Sequence, residues 1–251
     1  MITLKILGGL GNQLYAFACG YSLAKRLGEE LVLDVSDYFN GYTHPYALDA
    51  LNIPVYRKLT YTHASENMLT PEVIPAQIKD TFDIIADYAN GIPDRKTLLT
   101  RIGKHRNIYL NGYWANPDFF AGDEDDIRRM FTPLQESCEY RLFLETIRGK
   151  YSVAIHMRRT DFVALGNTCS DDYYRAAIAR MQSLYPDAVF YFFSDDIDYA
   201  KQKFGNQKHF RYIQIFGGMN ANLDEFFCLA ACNSRILHKG SSFSEWASFL
   251  N

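Results

Sequence analysis

Four runs of residues typical of buried strands are each followed by a polar segment, and these segments hold most of the side chains able to do chemistry. The segments are Gly-Gly-Leu-Gly-Asn-Gln from Gly8, His-Met-Arg-Arg-Thr-Asp from His156, Phe-Phe-Ser-Asp-Asp from Phe192 and Lys-Gly-Ser-Ser-Phe-Ser from Lys239. Parallel α/β sheets bind their ligands at the carboxyl ends of the strands. We therefore expect the four segments to contribute to ligand binding.

The second segment supplies positive charge. Arg158 and Arg159 are adjacent at the end of a strand, and an arginine fork binds phosphate oxygens through two parallel hydrogen bonds. His156 can donate to a base or a ribose, and Asp161 can orient an arginine or accept a proton. A salt-bridge network that only fixes the loop stays open as the alternative.

The first segment joins a strand to a helix. Gly9 and Gly11 let a ligand approach the backbone, and a helix N-terminus favours negative charge; Asn12 follows them as a catalytic candidate. The glycines and Asp34 also suit the start of a dinucleotide fingerprint, but Leu14 stands where its third glycine belongs. A plain tight turn is the other alternative.

The third and fourth segments complete a nucleotide site. Asp195 can accept two hydrogen bonds from the purine edge that guanine presents, although Ser194 or Asp195 can equally cap the following helix. The segment with Ser241, Ser242 and Phe243 offers backbone N–H groups and hydroxyls to an anion, with a simple helix cap as its alternative. Phosphate donors, a base acceptor and an anion nest together predict a nucleoside diphosphate ligand.

No group of metal ligands accompanies these segments, so we expect neither a metal nor a cofactor. We interpret the acidic residues from Asp123 to Asp126 as the solvent-exposed start of a helix. Cys228 and Cys232 lie four apart on a predicted helix and read as small buried hydrophobic residues.

The composition is that of a soluble globular protein without a basic surface. The chain has 251 residues and a net charge of -3, which gives no sign of nucleic-acid binding. Its 5 cysteines are scattered and odd in number, which does not suit a disulfide framework. Neither a signal peptide nor a run of about 18 apolar residues is recognisable, so we expect a cytoplasmic protein. A loose peripheral association with the inner membrane surface stays open.

Hydrophobic patterning predicts an α/β protein in two parts. A strand, the glycine turn, a helix over 13–27 and a second strand form a βαβ opening, whereas the proline-containing residues 38–104 predict loops and short helices. A helix is predicted over 117–131, and from Tyr151 onwards strands and helices alternate. We place two Rossmann-like domains at residues 1–149 and 150–251, facing each other across a ligand cleft.

The segments, in this order, resemble those of the bacterial α-1,2-fucosyltransferases, glycosyltransferase family 11. The segment from His156 matches the family's His-x-Arg-Arg-x-Asp signature, and Phe-Ser-Asp-Asp from Phe193 and Ser-Ser-Phe-Ser from Ser241 match two further motifs. Gly112-Tyr113-Trp114 is similar to the segment before the domain crossover. The resemblance covers the chain from its start to its end.

The resemblance implies a GT-B fold and inverting transfer of L-fucose from GDP-β-L-fucose to a glycan hydroxyl, in the simplest case O2 of a galactoside. Arg158 would hold the β-phosphate, the first domain would bind the acceptor and the second the GDP-sugar. The chain departs from the family at Gly240, where asparagine is common, and at Glu245-Trp246-Ala247 in place of Trp-Trp-Gly. A nicotinamide-dependent oxidoreductase and a nucleotide- or glycan-binding module without turnover stay open as other classes.

The resulting site assignments fall into two groups. The donor-binding candidates are Gly9, Gly11, His156, Arg158, Asp195, Ser241, Ser242 and Phe243. The catalytic candidates are Arg158, Asp161 and Asn12.

Overall fold

The computed structural model describes residues 1–60, 81–87, 91–103, 107–214 and 221–251. The chain divides into two compact units, Met1–Thr132 and Pro133–Asn251. This division lies ahead of the boundary expected after residue 149, because the helix Cys138–Ile147 packs on the second unit. The ring of Phe143 in that helix contacts the rings of Tyr191 and Phe193.

The first unit contains a parallel sheet with the strand order β3-β2-β1-β5-β4. Its main helix, α1, buries Leu14 and Phe17 and ends at Gly28, whose φ of 66° suits a left-handed cap. The strands are β1 Ile2–Lys5, β2 Leu31–Asp34, β3 Arg57–Leu59, β4 Asp83–Ala86 and β5 Ile108–Asn111. The helices are α1 Leu10–Leu27, α2 Arg95–Ile102 and α3 Glu124–Met130.

Two expectations for the first unit were wrong in detail. The stretch 38–104 contains the strands β3 and β4 besides 3-10 turns and α2, and both strands are too short to show a period of two. The helix predicted over 117–131 is divided into a 3-10 turn, Pro117–Phe120, and α3, because Gly122 at φ 92° interrupts it. Residues 61–80, 88–90 and 104–106 lie outside the described residues.

The second unit contains a parallel sheet with the order β8-β7-β6-β9. The predicted alternation of strands and helices is confirmed, and Ser170 caps α6 by accepting the backbone N–H of Tyr173. The predicted strand over 211–215 ends at Tyr212 in the described residues. The strands are β6 Ser152–Met157, β7 Val189–Ser194, β8 Phe210–Tyr212 and β9 Ser234–Ile236. The helices are α4 Cys138–Ile147, α5 Thr160–Ala164, α6 Asp171–Leu184, α7 Ile197–Phe204, α8 Ala221–Ala231 and α9 Ser242–Phe249.

Each sheet has a point where the strand order reverses. In the first unit β1 lies beside β5, and in the second β6 lies beside β9. The loops that leave neighbouring strands at such a point diverge and form a crevice for a ligand. None of the described helices combines the length and the apolar character needed to cross a bilayer.

Candidate active site

The loop after β6 holds Arg158 between two carboxylates. Its Nη1 lies 2.9 Å from Asp195 Oδ2 and its Nη2 donates to Asp161 Oδ1 at 2.6 Å. The side chain of Asp161 is 55% exposed, whereas that of Asp195 is 19% exposed. Asp195 is therefore the fixed partner of Arg158, and Asp161 is the partner that solvent can replace.

Asp195 also fixes the backbone of the arginine loop. Its Oδ1 accepts the N–H of Arg159 at 2.8 Å and its Oδ2 accepts the hydroxyl of Thr160 at 2.6 Å. The helix cap that was the alternative for Asp195 is supplied by Asp196, which accepts the backbone N–H of Tyr199. Asp195 thus links the loops that leave β6 and β7.

The two arginines have different surroundings. The guanidinium of Arg159 lies 3.6 Å from the ring centre of Tyr199, and no residue in the described part of the chain bonds to its buried Nε. Arg158 lies 5.4 Å from the ring centre of Phe162 and remains partly exposed. Arg159 is consequently the scaffold arginine of this loop, and Arg158 is the one that can reach a ligand.

His156 is a buried residue near the carboxyl end of β6. Its ring stacks on Phe243, with centroids 5.3 Å apart, and its buried Nδ1 has no hydrogen-bond partner among the described residues. Burial, with Arg158 and His238 nearby, lowers the pKa of His156 to about 3. A neutral imidazole with one unsatisfied nitrogen fits the expected role of a neutral hydrogen-bonding group better than that of an acid.

The glycine-serine turn after β9 lies next to the arginine loop. His238 accepts the N–H of Cys169 through Nε2 and donates through Nδ1 to the carbonyl of Lys239, and its ring meets Phe162 edge-on at 4.9 Å. Ser241 precedes α9, is buried, and makes no side-chain capping hydrogen bond. Ser241 therefore occupies the N-cap position of α9 without supplying a side-chain cap. Ser242 and Phe243 follow in the first turn of α9.

An acidic cavity of about 250 Å³ opens beside Asp195. Glu225 on α8 lines it and, within the described residues, makes no hydrogen bond. Burial and the neighbouring Asp195 raise the pKa of Glu225 to about 7, against the opposing effect of Arg158. The cavity is lined by Ser194, Asp195, Asp196, Ile197, Asp198, Ile213, Gln214 and Glu225.

The sequence interpretation missed Glu225. Asp224 and Glu225 lie between Leu223 and Phe226 on one helix, and this pair is the signal that was available, because a carboxylate in apolar surroundings needs a partner or a function. The structure adds that Glu225 and Asp195 line one cavity.

The polar segment from Gly8 lies in the first unit, and the protein itself occupies much of its turn. The N–H of Gly8 donates to the hydroxyl of Tyr42 at 3.0 Å, and its carbonyl accepts from Tyr38 and Gln13. Gly8 has a φ of 76°, which favours glycine. Gly9 is the N-cap of α1, and Gly11 and Asn12 follow in its first turn.

The dinucleotide-binding alternative does not fit this turn. Leu14 is fully buried where the third glycine would allow close packing, and Asp34 is committed inside the sheet. Asp34 accepts the N–H of Ser36 and the hydroxyl of Tyr109. The carboxylate that a ribose would need is therefore taken.

Within the described part of the chain, no group of three or more His, Cys, Asp or Glu side chains is arranged to hold a metal ion. Cys228 and Cys232 are fully buried free thiols, as predicted. The acidic start of α3 is not simply solvated: Asp123 is buried, and Asp123 and Asp126 both bind Lys25.

The model of glycosyl transferase family 11 matches residues 2–251. The chain belongs to this family. It is 26% identical over 261 residues to an α-1,2-colitosyltransferase of Escherichia coli, covering 100% of this chain and 87% of that protein. It is 24% identical to the Escherichia coli O-antigen biosynthesis glycosyltransferase WbnK, covering 97% of this chain and 88% of that protein. This family 11 protein is therefore a glycosyltransferase, and the oxidoreductase alternative is wrong.

Solved fucosyltransferases share the fold of this family 11 protein. The NodZ α-1,6-fucosyltransferase soaked with GDP-fucose matches with a TM-score of 0.58 at 16% identity, covering 99% of this chain and 91% of that chain. POFUT1 in complex with GDP matches with a TM-score of 0.58 at 14% identity, covering 99% of this chain and 93% of that chain. The predicted GT-B-like α/β fold with two parallel sheets is confirmed.

Proposed function

We propose that this chain transfers L-fucose from GDP-β-L-fucose, with inversion, to a hydroxyl of a glycan acceptor, O2 of a galactoside in the simplest case. One observation carries the proposal: the carboxylate of Asp195 binds Arg158 on one side and lines the acidic cavity on the other. A phosphate-binding group and a base-binding cavity are thereby adjacent.

The cavity suits guanine because its lining accepts hydrogen bonds. Guanine presents N1–H and the exocyclic amino group along one edge, and Glu225 has a largely buried carboxylate that no described residue satisfies. Uracil presents one N–H between two carbonyl oxygens, which would face carboxylates without a donor. We therefore assign the base to the cavity, with Glu225 as its principal acceptor.

The diphosphate belongs at Arg158. An exposed ion pair such as the one with Asp161 contributes only about 0–1 kcal/mol, so phosphate oxygens can take the place of Asp161. Asp195 stays in position because it also binds the N–H of Arg159 and the hydroxyl of Thr160. Ser241 and Ser242 at the start of α9 are further phosphate donors in this proposal.

The reaction needs charge stabilisation more than covalent chemistry. The acceptor oxygen forms a bond to C1 of fucose, the bond from C1 to the β-phosphate oxygen breaks, and GDP leaves with the electron pair. A preorganised donor to such a leaving group typically contributes about 10²–10³ in rate. The hydroxyl proton passes to a weak base, for which Asp161 is the candidate, and the catalytic role expected for Asn12 stays a prediction.

Colitosyl transfer is a second candidate, favoured by the similarity to the α-1,2-colitosyltransferase. Colitose is L-fucose without its 3-hydroxyl, so the same GDP site would serve both donors. The two differ at the sugar, and direct competition between GDP-fucose and GDP-colitose separates them.

The experiment is a thermal-shift screen followed by a transfer assay. GDP and GDP-fucose should stabilise the protein by about 2.7 kcal/mol at a hundredfold excess over Kd, whereas UDP-galactose and NAD should not. Incubation of GDP-fucose with lactose should then release GDP and yield a fucosylated product. Equal stabilisation by UDP-galactose contradicts the guanine assignment. GDP binding without transfer to any glycan would contradict the proposed transfer and indicate a nucleotide-binding module instead.

A further inference from the structure

A second cavity lies in the first unit, and the polar segments that follow the strands contribute nothing to its lining. It has a volume of about 510 Å³ and is open to solvent. Its lining comes from α1, α2 and the 3-10 turn Pro117–Phe120. None of the lining residues takes part in the proposed transfer. They are Arg26, Arg95, Lys96, Leu99, Thr100 and Asp118.

The cavity belongs to the helical layer of the first unit. The connections from β1 to β2 and from β4 to β5 step in the same direction across the sheet. Because such connections are right-handed, they place α1 and α2 on the same face of the sheet. The four residues that α2 contributes are spaced as one side of a helix. A ligand in this cavity therefore contacts the two helices rather than the loops after the strands.

Two cations of the lining stand at the unfavourable end of a helix. Arg95 and Lys96 are the first two residues of α2, and the first turn of this helix contains no acidic residue. A helix N-terminus carries partial positive charge, so cations there are destabilising. Asp94 and Asp118 offset this from outside the helix, by accepting the N–H groups of Thr97 and Arg95. Two cations in this position indicate a use other than helix stability.

Carboxylates neutralise little of the positive charge in the lining. Arg26 and Lys96 are exposed, and neither forms an ion pair within the described residues. The guanidinium of Arg95 donates to the carbonyl of Ala121 at 2.5 Å, which is a neutral partner. Asp118 accepts the backbone N–H of Arg95 at 2.9 Å and pairs with no cationic side chain of the described residues. The lining thus carries three positive charges and one negative charge in a protein whose net charge is -3.

Phosphate chemistry suits this lining. An arginine fork binds two phosphate oxygens at once, and a lysine adds a point charge. A phosphate monoester carries about two negative charges at pH 7, which matches the excess positive charge of the lining. The cavity is larger than a phosphate group, and Leu99 gives it an apolar part. The phosphate therefore belongs to a larger organic molecule.

We propose that this cavity binds a phosphate monoester, with Arg26, Arg95 and Lys96 around the phosphate and Leu99 against the organic part. Asp118 limits the affinity because its charge repels the same group. The cavity shares no residue with the proposed donor site, so the inference does not depend on the proposed function. The phosphate comes from a soluble ester or from a lipid headgroup, and the experiment separates these two sources.

The test is a ³¹P NMR titration of the full chain with glycerol 3-phosphate, with GDP present at about ten times its Kd to fill the proposed donor site. The wild type should bind glycerol 3-phosphate, and added sodium chloride should weaken the binding. Arg26→Gln and Lys96→Gln should each weaken it about threefold or more, because each removes one charge from a solvent-exposed site. Asp118→Asn should bind more tightly, since asparagine keeps an acceptor for the N–H of Arg95 and removes the repelling charge.

A second arm identifies the source of the phosphate. The protein is sedimented with vesicles of phosphatidylcholine alone and with vesicles of equal parts phosphatidylcholine and phosphatidic acid. Sedimentation that requires phosphatidic acid and falls in Arg26→Gln and Lys96→Gln supports the site and indicates a lipid headgroup. Binding of glycerol 3-phosphate without vesicle binding supports the site and indicates a soluble ester.

Arg101→Gln is the matched control, since Arg101 is an exposed cation of α2 that does not line the cavity. It should bind both probes as the wild type does. Absence of binding to both probes, equal weakening in Arg101→Gln, or unchanged affinity in Arg26→Gln and Lys96→Gln would each overturn the inference. The Kd for GDP should stay within about twofold in all these variants, whereas failure of the proposed function appears as a wild type that does not bind GDP.

Discussion

Asp195 Oδ2 lies 2.9 Å from Arg158 Nη1, and the same carboxylate accepts the backbone N–H of Arg159. One aspartate after β7 thus sets both the guanidinium and the backbone of the loop after β6. Because its side chain is 19% exposed, solvent competes weakly for these bonds. The arginine loop is held in one geometry before any ligand arrives, which is what electrostatic stabilisation of a leaving group requires.

Arg158→Lys should reduce kcat about a hundredfold or more with the fold intact, because lysine cannot reproduce the planar fork. Arg159→Lys should have a milder effect on kcat, since Arg159 lies on Tyr199. Steady-state kinetics with circular dichroism checks both. Near-normal turnover in Arg158→Lys would remove Arg158 from the mechanism.

Asp195→Asn and Asp161→Asn should behave differently. Asp195→Asn loses the charge that fixes Arg158, so both kcat and GDP affinity should fall about tenfold or more. Asp161→Asn should bind GDP at least as tightly as the wild type, because it removes a competing negative charge from Arg158. Calorimetry with GDP measures both affinities, and weaker GDP binding in Asp161→Asn would contradict the exchange of Asp161 for phosphate.

Turnover of Asp161→Asn separates the two roles of this residue. If Asp161 is the base, kcat falls while GDP binding persists. If it only partners Arg158, kcat stays near the wild-type value. The measurement is kcat for transfer from GDP-fucose to lactose or to another glycan that the protein accepts.

GDP affinity should increase as the pH is raised from about 6 to about 8, because Glu225 loses its proton over this range. Its pKa is raised to about 7 in the free protein, and the guanine donors favour the ionised form, so binding releases a proton. In Glu225→Gln the part of the pH dependence of GDP affinity that comes from this carboxyl should be absent. The ionisation of GDP affects both proteins equally and therefore cancels when the two pH profiles are compared. Calorimetry at several pH values tests this, and identical pH profiles would exclude Glu225 from the base site.

Protein stability should show the opposite trend with pH. The folded protein holds the Glu225 proton more tightly than the unfolded chain does, so the free energy of unfolding contributed by this group falls as pH rises from about 4.5 to about 7. Glu225→Gln should remove that part of the slope in urea denaturation. A slope that is the same in both proteins would mean that folding does not shift the pKa of Glu225.

Transfer should survive EDTA, since Arg158 and the N–H groups at the start of α9 are proposed to meet the charge of the leaving GDP. The assay is GDP release in EDTA, with magnesium and manganese added back. Activity lost in EDTA and restored by either metal would show that the diphosphate is neutralised in another way.

Local sequence patterns determined much of the secondary structure of this protein. Residues one or two turns apart in sequence are enough to predict α1 with Gly28 at its end and the Ser170 cap. They are also enough to place Arg158, Asp195 and Ser241 directly after strands. Such short-range preferences act in the same way wherever the segment lies in the fold. The candidate donor-site residues could therefore be named from sequence spacing and from the family resemblance.

Tertiary structure decided which of these groups meet. Glu225 lies 30 positions after Asp195 in sequence, yet both line one cavity because α8, which leads from β8 to β9, packs on β6, the neighbour of β7. The short strands β3 and β4 carry no readable period, and α4 joins the second unit through the packing of Phe143 on Tyr191 and of Tyr140 on Phe227. Pairing between distant loops depends on strand order, and strand order is set by burial of whole strands rather than by any local pattern.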